Sequence, residues 1–121
     1  MTKKAFSFAF LLTILFSCST HKEPKMNTKR FKEKDNTAVF TTSFVITDKK
    51  DITLITHDAD DGAWQSLSDD HFDRFEDVAK IVGLGQMVKI DSSVLEVADL
   101  KEGYVAHRRF KGDTWVIEKH Q

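Results

Sequence analysis

Hydrophobic and polar positions change their period several times along the 121-residue chain. In "AVFTTSFVI" Phe40, Thr42, Phe44 and Ile46 recur at every second position. This marks a half-buried strand, because successive side chains of extended backbone point to opposite faces. "TDKKD" supplies a polar turn and "ITLIT" resumes the pattern, so residues 38–46 and 52–57 are expected to form an antiparallel hairpin. "DADDG" turns the chain again, and a short strand over 64–67 continues the meander. From Ser68 the period lengthens, and Phe72, Phe75, Ala79 and Val82 fall on one face of an α-helix. Ser68 or Asp69 can cap that helix and Gly83 and Gly85 limit it, although "AKIVGL" reads equally as a short extended segment. "MVKIDSSVLEVADLKEG" predicts a second helix, with Ser93 and Glu96 as a capping-box pair and Gly103 as its stop. "GYVAHRRF" and "TWVIEK" flank "KGD", the composition of a closing hairpin. The pattern therefore predicts an α+β domain, an antiparallel sheet of about five strands with two helices on one face.

With 40% hydrophobic and 31% charged residues and one proline, a chain of this length holds one small globular domain. The hydrophobic pattern at its start is of a different kind. "MTKKAFSFAFLLTILFSCS" opens with Lys3 and Lys4 and continues with 12 uncharged residues, which hold four of the ten phenylalanines. A membrane-spanning helix requires about 20 apolar residues, so residues 1–17 read as a secretory signal that is removed. The signal ends in "LFSC", with Leu15 and Ser17 placed three residues and one residue before Cys18, the only cysteine. This arrangement resembles the bacterial lipoprotein box. The resemblance implies that the Cys18 sulfur receives a diacylglyceryl group, that the chain is cut in front of it, and that the new amino terminus is acylated, palmitate being the usual chain. Several acyl chains on one residue give stable membrane anchoring, and lipidation accounts for an unpaired thiol in an oxidising compartment. Ser19 directly after the cysteine implies delivery to the outer membrane, facing the periplasm, by analogy with lipoprotein sorting in Gram-negative cells.

Residues 19–36 carry six Lys or Arg against three acids and almost no aliphatic side chains. Such a segment buries too little to offset its ordering entropy. Residues 18–36 are accordingly expected as a lipidated cysteine and flexible tether, and 37–121 as the α+β domain. A second reading has the lysines attract anionic head groups, at about 1 kcal/mol each.

Loss of Lys3 and Lys4 with the signal leaves 16 basic residues against 19 acidic, a net charge of −3. Nucleic acid is excluded as a partner, because the basic residues concentrate in the tether rather than on a folded face. The acids cluster instead: residues 58–77 hold eight acids and the single base Arg74, while Arg108, Arg109 and Lys111 lie together near the end. A dipolar domain of this kind can steer a charged partner.

The densest acidic stretch is "HDADDGAW", His57 to Trp64. An EF-hand loop needs oxygens at its first, third and fifth positions and glycine at the sixth, because the chain must reverse sharply around the ion. Here the fit fails, since Asp58 as the first position puts Gly62 fifth. The "HD" pair His57 and Asp58 could open a metal-dependent hydrolase site, but no histidine precedes it in the folded segment, and His57, His71, His107 and His120 show no short zinc-ligand spacing. "GLGQMV" has Val88 where a dinucleotide loop requires its third glycine. No metal and no cofactor is therefore assigned. "DADDG" reads first as a turn in which aspartates bond their own backbone and glycine takes a positive φ. Asp58, Asp60, Asp61 and Trp64 are then the candidate binding residues, presented to a protein partner with a basic surface. The alternative is a metal-dependent hydrolase with His57, Asp58, Asp60 and Asp61 as ligands.

"THDADDGAWQSLS", "VGLGQMVKIDSSVLEVADLKEGYVAHRR" and the late Trp115 together resemble a small uncharacterised bacterial domain over residues 53–115. They are more distantly similar to the acidic "DSGW" core of certain toxin-immunity domains. The resemblance implies a compact α+β binding module without known catalytic residues, to which the lipoprotein signal is an addition.

Replacing the proposed acylation site tests the anchor. Cys18→Ala is expected to move the protein out of the membrane fraction, and intact-mass measurement of the wild type should show the added lipid. Unchanged fractionation together with an unmodified wild-type mass would reject the assignment.

Overall fold

The computed structural model describes residues 29–120 of the chain. The Cys18 and signal assignments lie outside the described residues. Six strands, β1 (Ala38–Thr42), β2 (Leu54–His57), β3 (Trp64–Leu67), β4 (Ala79–Gly83), β5 (Tyr104–His107) and β6 (Val116–Lys119), form one sheet in the order β4, β1, β3, β2, β5, β6. Three short helices, α1 (Ser43–Ile46), α2 (Phe75–Val78) and α3 (Leu84–Ile90), and a 3₁₀ helix (Ser92–Val97) complete the α+β domain.

The sheet is mixed rather than antiparallel throughout. β1 runs parallel to β3, with Val39 beside Trp64, and antiparallel to β4, with Val39 beside Val82. The expected hairpin of 38–46 with 52–57 does not form, because β3 lies between them. β2 is antiparallel to β3 and to β5, so that His57 stands opposite both Trp64 and Tyr104. The reason lies just after Thr42, where the period-two run ends. Ser43–Ile46 wind one helical turn, in which the Ser43 carbonyl accepts from the N–H groups of Thr47 and Asp48, and Val45 swings into the core at 2% exposure. A chain that leaves β1 through a helical turn can pass over the neighbouring strand position, as a tight hairpin cannot.

Residues 68–82 differ from the expected helix in a related way. Only Phe75–Val78 are helical, and Ala79–Gly83 form the edge strand β4, which pairs with all of β1. Without β4 the outer backbone groups of β1 would lack partners, and the extended alternative carries Val82 into the core while Lys80 and Ile81 remain exposed. The second expected helix is also divided. α3 ends at Ile90, and Asp91, in extended conformation, caps the 3₁₀ helix by accepting from the Ser93 N–H at 3.0 Å. The expected Ser93 and Glu96 pair is not the cap. The closing hairpin forms as the pattern predicts, β5 against β6 with Ala106 opposite Ile117.

The core lies on one face of the sheet, where Val39, Trp64, Ile55 and Ala106 meet Leu84, Met87, Val94, Val97 and Leu100 from the helical layer. Arg108, directly after β5, enters this core with a fully buried side chain. Its Nε donates to the Ile52 carbonyl at 3.0 Å, and its two terminal nitrogens donate to Ser93 Oγ at 2.8 Å and to Asp91 Oδ2 at 2.7 Å. The Trp115 ring covers the guanidinium, with its centroid 4.0 Å from Cζ, and the Trp115 indole N–H donates to the Ser93 carbonyl. Arg108 therefore does not belong to the basic surface cluster that its neighbours Arg109 and Lys111 suggest.

The folded part begins before residue 37. Phe31 packs against the core, and the Asp35 carbonyl accepts from the Gly85 N–H at 2.9 Å. The two glycines of "GLG" make this approach possible: a Cβ on Gly83 would stand 3.0 Å from the Asp35 carbonyl oxygen, and one on Gly85 3.0 Å from the Asp35 side chain. Residues 29–36 are thus part of the domain rather than of a tether, Lys29 Nζ donating to the Glu96 carbonyl at 3.1 Å, and the remainder of the proposed tether, 19–28, lies outside the described residues.

The two ion pairs at Asp91 and Asp99 should differ sharply in their contribution. Asp91→Ala leaves a buried guanidinium without its counter-ion and is expected to cost about 3–5 kcal/mol in denaturant unfolding. Asp99→Ala removes an exposed pair with Lys29 and should cost less than about 1 kcal/mol.

Candidate functional site

The "HDADDG" turn joins β2 to β3, and its backbone explains its composition. The Asp58 N–H donates to the Ala63 carbonyl, and the Gly62 N–H donates to the Asp58 carbonyl. Asp58 Oδ1 accepts from the Asp60 N–H at 2.7 Å and Asp61 Oδ1 from the Ala63 N–H at 2.9 Å, while Gly62 takes a φ of 72°. Two of the three aspartates are therefore turn-formers, and all three are exposed. Among the described residues no three His, Cys, Asp or Glu side chains converge as metal ligands. The set His57, Asp58, Asp60, Asp61 is not brought together, because strand alternation turns His57 inward and leaves the aspartates on the turn.

Trp64, expected among the binding residues, is 1% exposed and belongs to the core. Its ring stacks on the His57 imidazole with centroids 3.8 Å apart and 14° between planes, and Phe31 meets it edge-on at 5.0 Å. The indole N–H donates to Glu33 Oε2 at 3.0 Å. Trp64 is thus a core residue whose ring also forms part of a cavity wall.

That site is a cavity of about 420 Å³ between the segment at Arg30, Lys32 and Glu33 and the loop from Ala98 to Glu102, with His57 and Trp64 in its wall. His57 has its side chain 8% exposed, with Nδ1 2.7 Å from the Leu100 carbonyl oxygen. A carbonyl only accepts, so Nδ1 carries the proton, and in the neutral ring Nε2 presents a lone pair. Nε2 stands 3.9 Å from Glu33 Oε2, too far for a hydrogen bond. The Glu33 carboxyl is pushed up by partial burial, but the Trp64 indole N–H, its own backbone N–H and the nearby positive charge potential of His57 and Lys32 outweigh this and hold it below its ordinary value. It is ionised at neutral pH.

Asp58 and Asp60 border a second cavity of about 400 Å³, with Thr56, Gln65, Tyr104 and His120. His57 separates the two. The pattern of the sequence pointed to His57 and to the acidic turn, but not to Glu33 or Phe31. Both lie in a segment dominated by lysines, where a single aromatic has no period to reveal it. Their i, i+2 spacing, with Lys32 between them and Lys34 after, was the one available signal.

Comparison with known proteins assigns no family: no family model, no curated protein and no solved structure matches the chain.

The depressed Glu33 carboxyl makes stability depend on acid. A group whose folded pKa lies below its unfolded value, here 4.5, contributes stability above that value and loses it as pH falls through the folded one. Urea unfolding of wild type and Glu33→Gln should therefore give a difference in stability that is constant near neutrality and shrinks below about pH 4.5. A difference independent of pH down to 2 would show that the Glu33 charge does not contribute.

Proposed function

We propose that the chain is a lipid-anchored protein of the bacterial cell envelope, held at Cys18 on the periplasmic side of the outer membrane, and that its domain is a non-catalytic binding module for a partner with a basic surface. The observation that carries the binding reading is the chemistry of the cavity beside the acidic turn. It holds a buried imidazole and an ionised carboxylate, yet none of its lining residues bears a hydroxyl or thiol nucleophile, and the aspartates of the turn remain exposed. The lipoprotein-box residues Leu15 to Cys18 support the anchor. Eleven residue steps separate Cys18 from Lys29, which places the start of the described domain within roughly 40 Å of the acyl chains. The partner is accordingly a component of the envelope. The distant likeness to toxin-immunity domains agrees with a binding role, and a metal-dependent hydrolase has no comparable support because its four candidate ligands are dispersed.

The test uses the full, lipidated chain in detergent to capture partners from envelope extracts. Asp60→Asn with Asp61→Asn keeps the turn-forming oxygens and removes two charges, so the fold should persist. A specifically captured protein should be lost from the double variant, and loss should also follow from raising the salt concentration. Equal capture by a folded double variant overturns the proposed role of the turn.

A further inference from the structure

Both edges of the sheet are open among the described residues, but they differ in chemistry. β4 is bounded directly by α2 at Val78 and by α3 at Leu84, so a neighbouring strand would meet a helix at either end. β6 has no such stop, and all four of its residues are exposed. Val116 and Ile117 are 47% and 49% exposed, and with Phe110 in the preceding loop they make three of the five large apolar side chains left in solvent among the described residues. Sheet edges are commonly guarded by charges, proline or a bulge, whereas the middle of this one is apolar.

The neighbouring ladder fixes which backbone groups of β6 remain free. The Arg108 N–H donates to the Thr53 carbonyl and the His120 N–H to the Gly103 carbonyl. Both bonds continue the registers of β5 with β2 and with β6, and along an antiparallel strand the bonding direction alternates residue by residue. Val116, Glu118 and His120 therefore turn their backbone groups to β5, and Ile117 and Lys119 turn theirs to the open side.

We propose that a second copy of the chain occupies this edge, paired antiparallel through β6 about a two-fold axis at Ile117. Ile117 exchanges both backbone bonds with Ile117 of the second copy. Their side chains meet on the core face of the joined sheet, because Ile117 stands opposite the buried Ala106. On the other face Val116 meets Glu118 of the second copy, and further out Lys119 meets Trp115 of the second copy, so no like charges stand directly opposite. Centring the axis on Glu118 would set two carboxylates against each other. Centring it on Val116 would run the ladder into the turn at Asp113, whose N–H is already given to the Phe110 carbonyl. A two-fold axis of this kind stands perpendicular to the sheet, so both copies keep their helical layers on one side. Lys29 is bound to that layer through the Glu96 carbonyl, and it lines a groove of about 340 Å³ with Leu100, Tyr104 and Ile117. The Lys29 residues of both copies thus stand on the same side of the joined sheet, as suits two chains anchored upstream in one bilayer. The pairing itself concerns the sheet edge and stands whether or not Cys18 carries the anchor.

Disulfide cross-linking of the full-length protein in detergent reads the register, with the wild type, whose only cysteine is Cys18, as the baseline. Ile117→Cys is expected to give a linked dimer under mild oxidation, since facing residues of a hydrogen-bonded pair stand about 5.5 Å apart at Cα, within disulfide reach. Val116→Cys and Glu118→Cys should not link singly but should link when mixed. Ile117→Pro removes the outward N–H and no bond to β5, so the fold should persist while the dimer dissociation constant, from analytical ultracentrifugation, rises about tenfold or more. If near-ultraviolet circular dichroism shows that Ile117→Pro does not fold, Ile117→Lys serves instead, by setting two like charges on the axis. No linked dimer from Ile117→Cys, equal linking of all three single variants, self-linking of Glu118→Cys, or an unchanged dimer in a folded variant overturns the proposal. Linkage of Ile117→Cys to a different protein, when the oxidation is repeated in intact envelopes, assigns the edge to that protein and overturns it as well.

Discussion

A guanidinium removed from water must find partners for its N–H groups, and the way Arg108 does so fixes much of the domain. Its donors reach the start of β2 through Ile52, the start of the 3₁₀ helix through Ser93, and the residue between two helices through Asp91. Asp91 cannot continue α3 while it serves Arg108 and caps Ser93, so the helical layer breaks there. The 3₁₀ helix that follows runs to Val97, and the next loop brings the Leu100 carbonyl onto His57. The protonation pattern of the candidate site thus depends on a salt bridge elsewhere in the core. Such a pair adds little net stability over an apolar replacement, but removing either partner alone strands a buried charge.

Trp64 is the second point on which several elements converge. His57 stacks on its ring, Phe31 meets it in a T-shaped pair, and Glu33 accepts from its N–H. An edge-on aromatic pair contributes about 0.5–1.5 kcal/mol beyond area burial, which helps to seat a segment otherwise rich in lysine. The backbone does the rest. Asp35 and Thr37 accept from the N–H groups of Gly85 and Leu84, so the first turn of α3 is satisfied by the incoming chain rather than left open.

The parts of the fold legible in the sequence were those governed by local rules. Gly62 and its aspartates announced a turn because the turn chemistry is contained within six residues, and the β5 and β6 hairpin followed from "KGD" between two alternating runs. The parts that were not legible depended on partners distant in sequence. Ala79–Gly83 have helical period as well as β-branched content, and the unpaired edge of β1 decides between them. Arg108 reads as a surface charge beside Arg109 until Asp91 and Ser93 are folded against it. Phe31 and Glu33 carry no periodic signal, since their partners, Trp64 and His57, lie more than twenty residues further along.

The site joins the body of the domain to the segment that precedes β1. Glu33 and the rim residues Arg30 and Lys32 come from the segment that leads back toward Cys18, whereas His57, Leu100 and Lys101 come from the body of the domain. The cavity therefore exists only while that segment is seated. Any ligand that needs both sides of the cavity binds the seated state and not the unseated one, and by mass action it stabilises the seat by an amount set by its concentration relative to its dissociation constant. The coupling is reciprocal, so a force or contact that lifts residues 29–36 from the sheet weakens ligand binding by the same free energy. The seating of residues 29–36 and the occupancy of the cavity are then two readings of a single equilibrium.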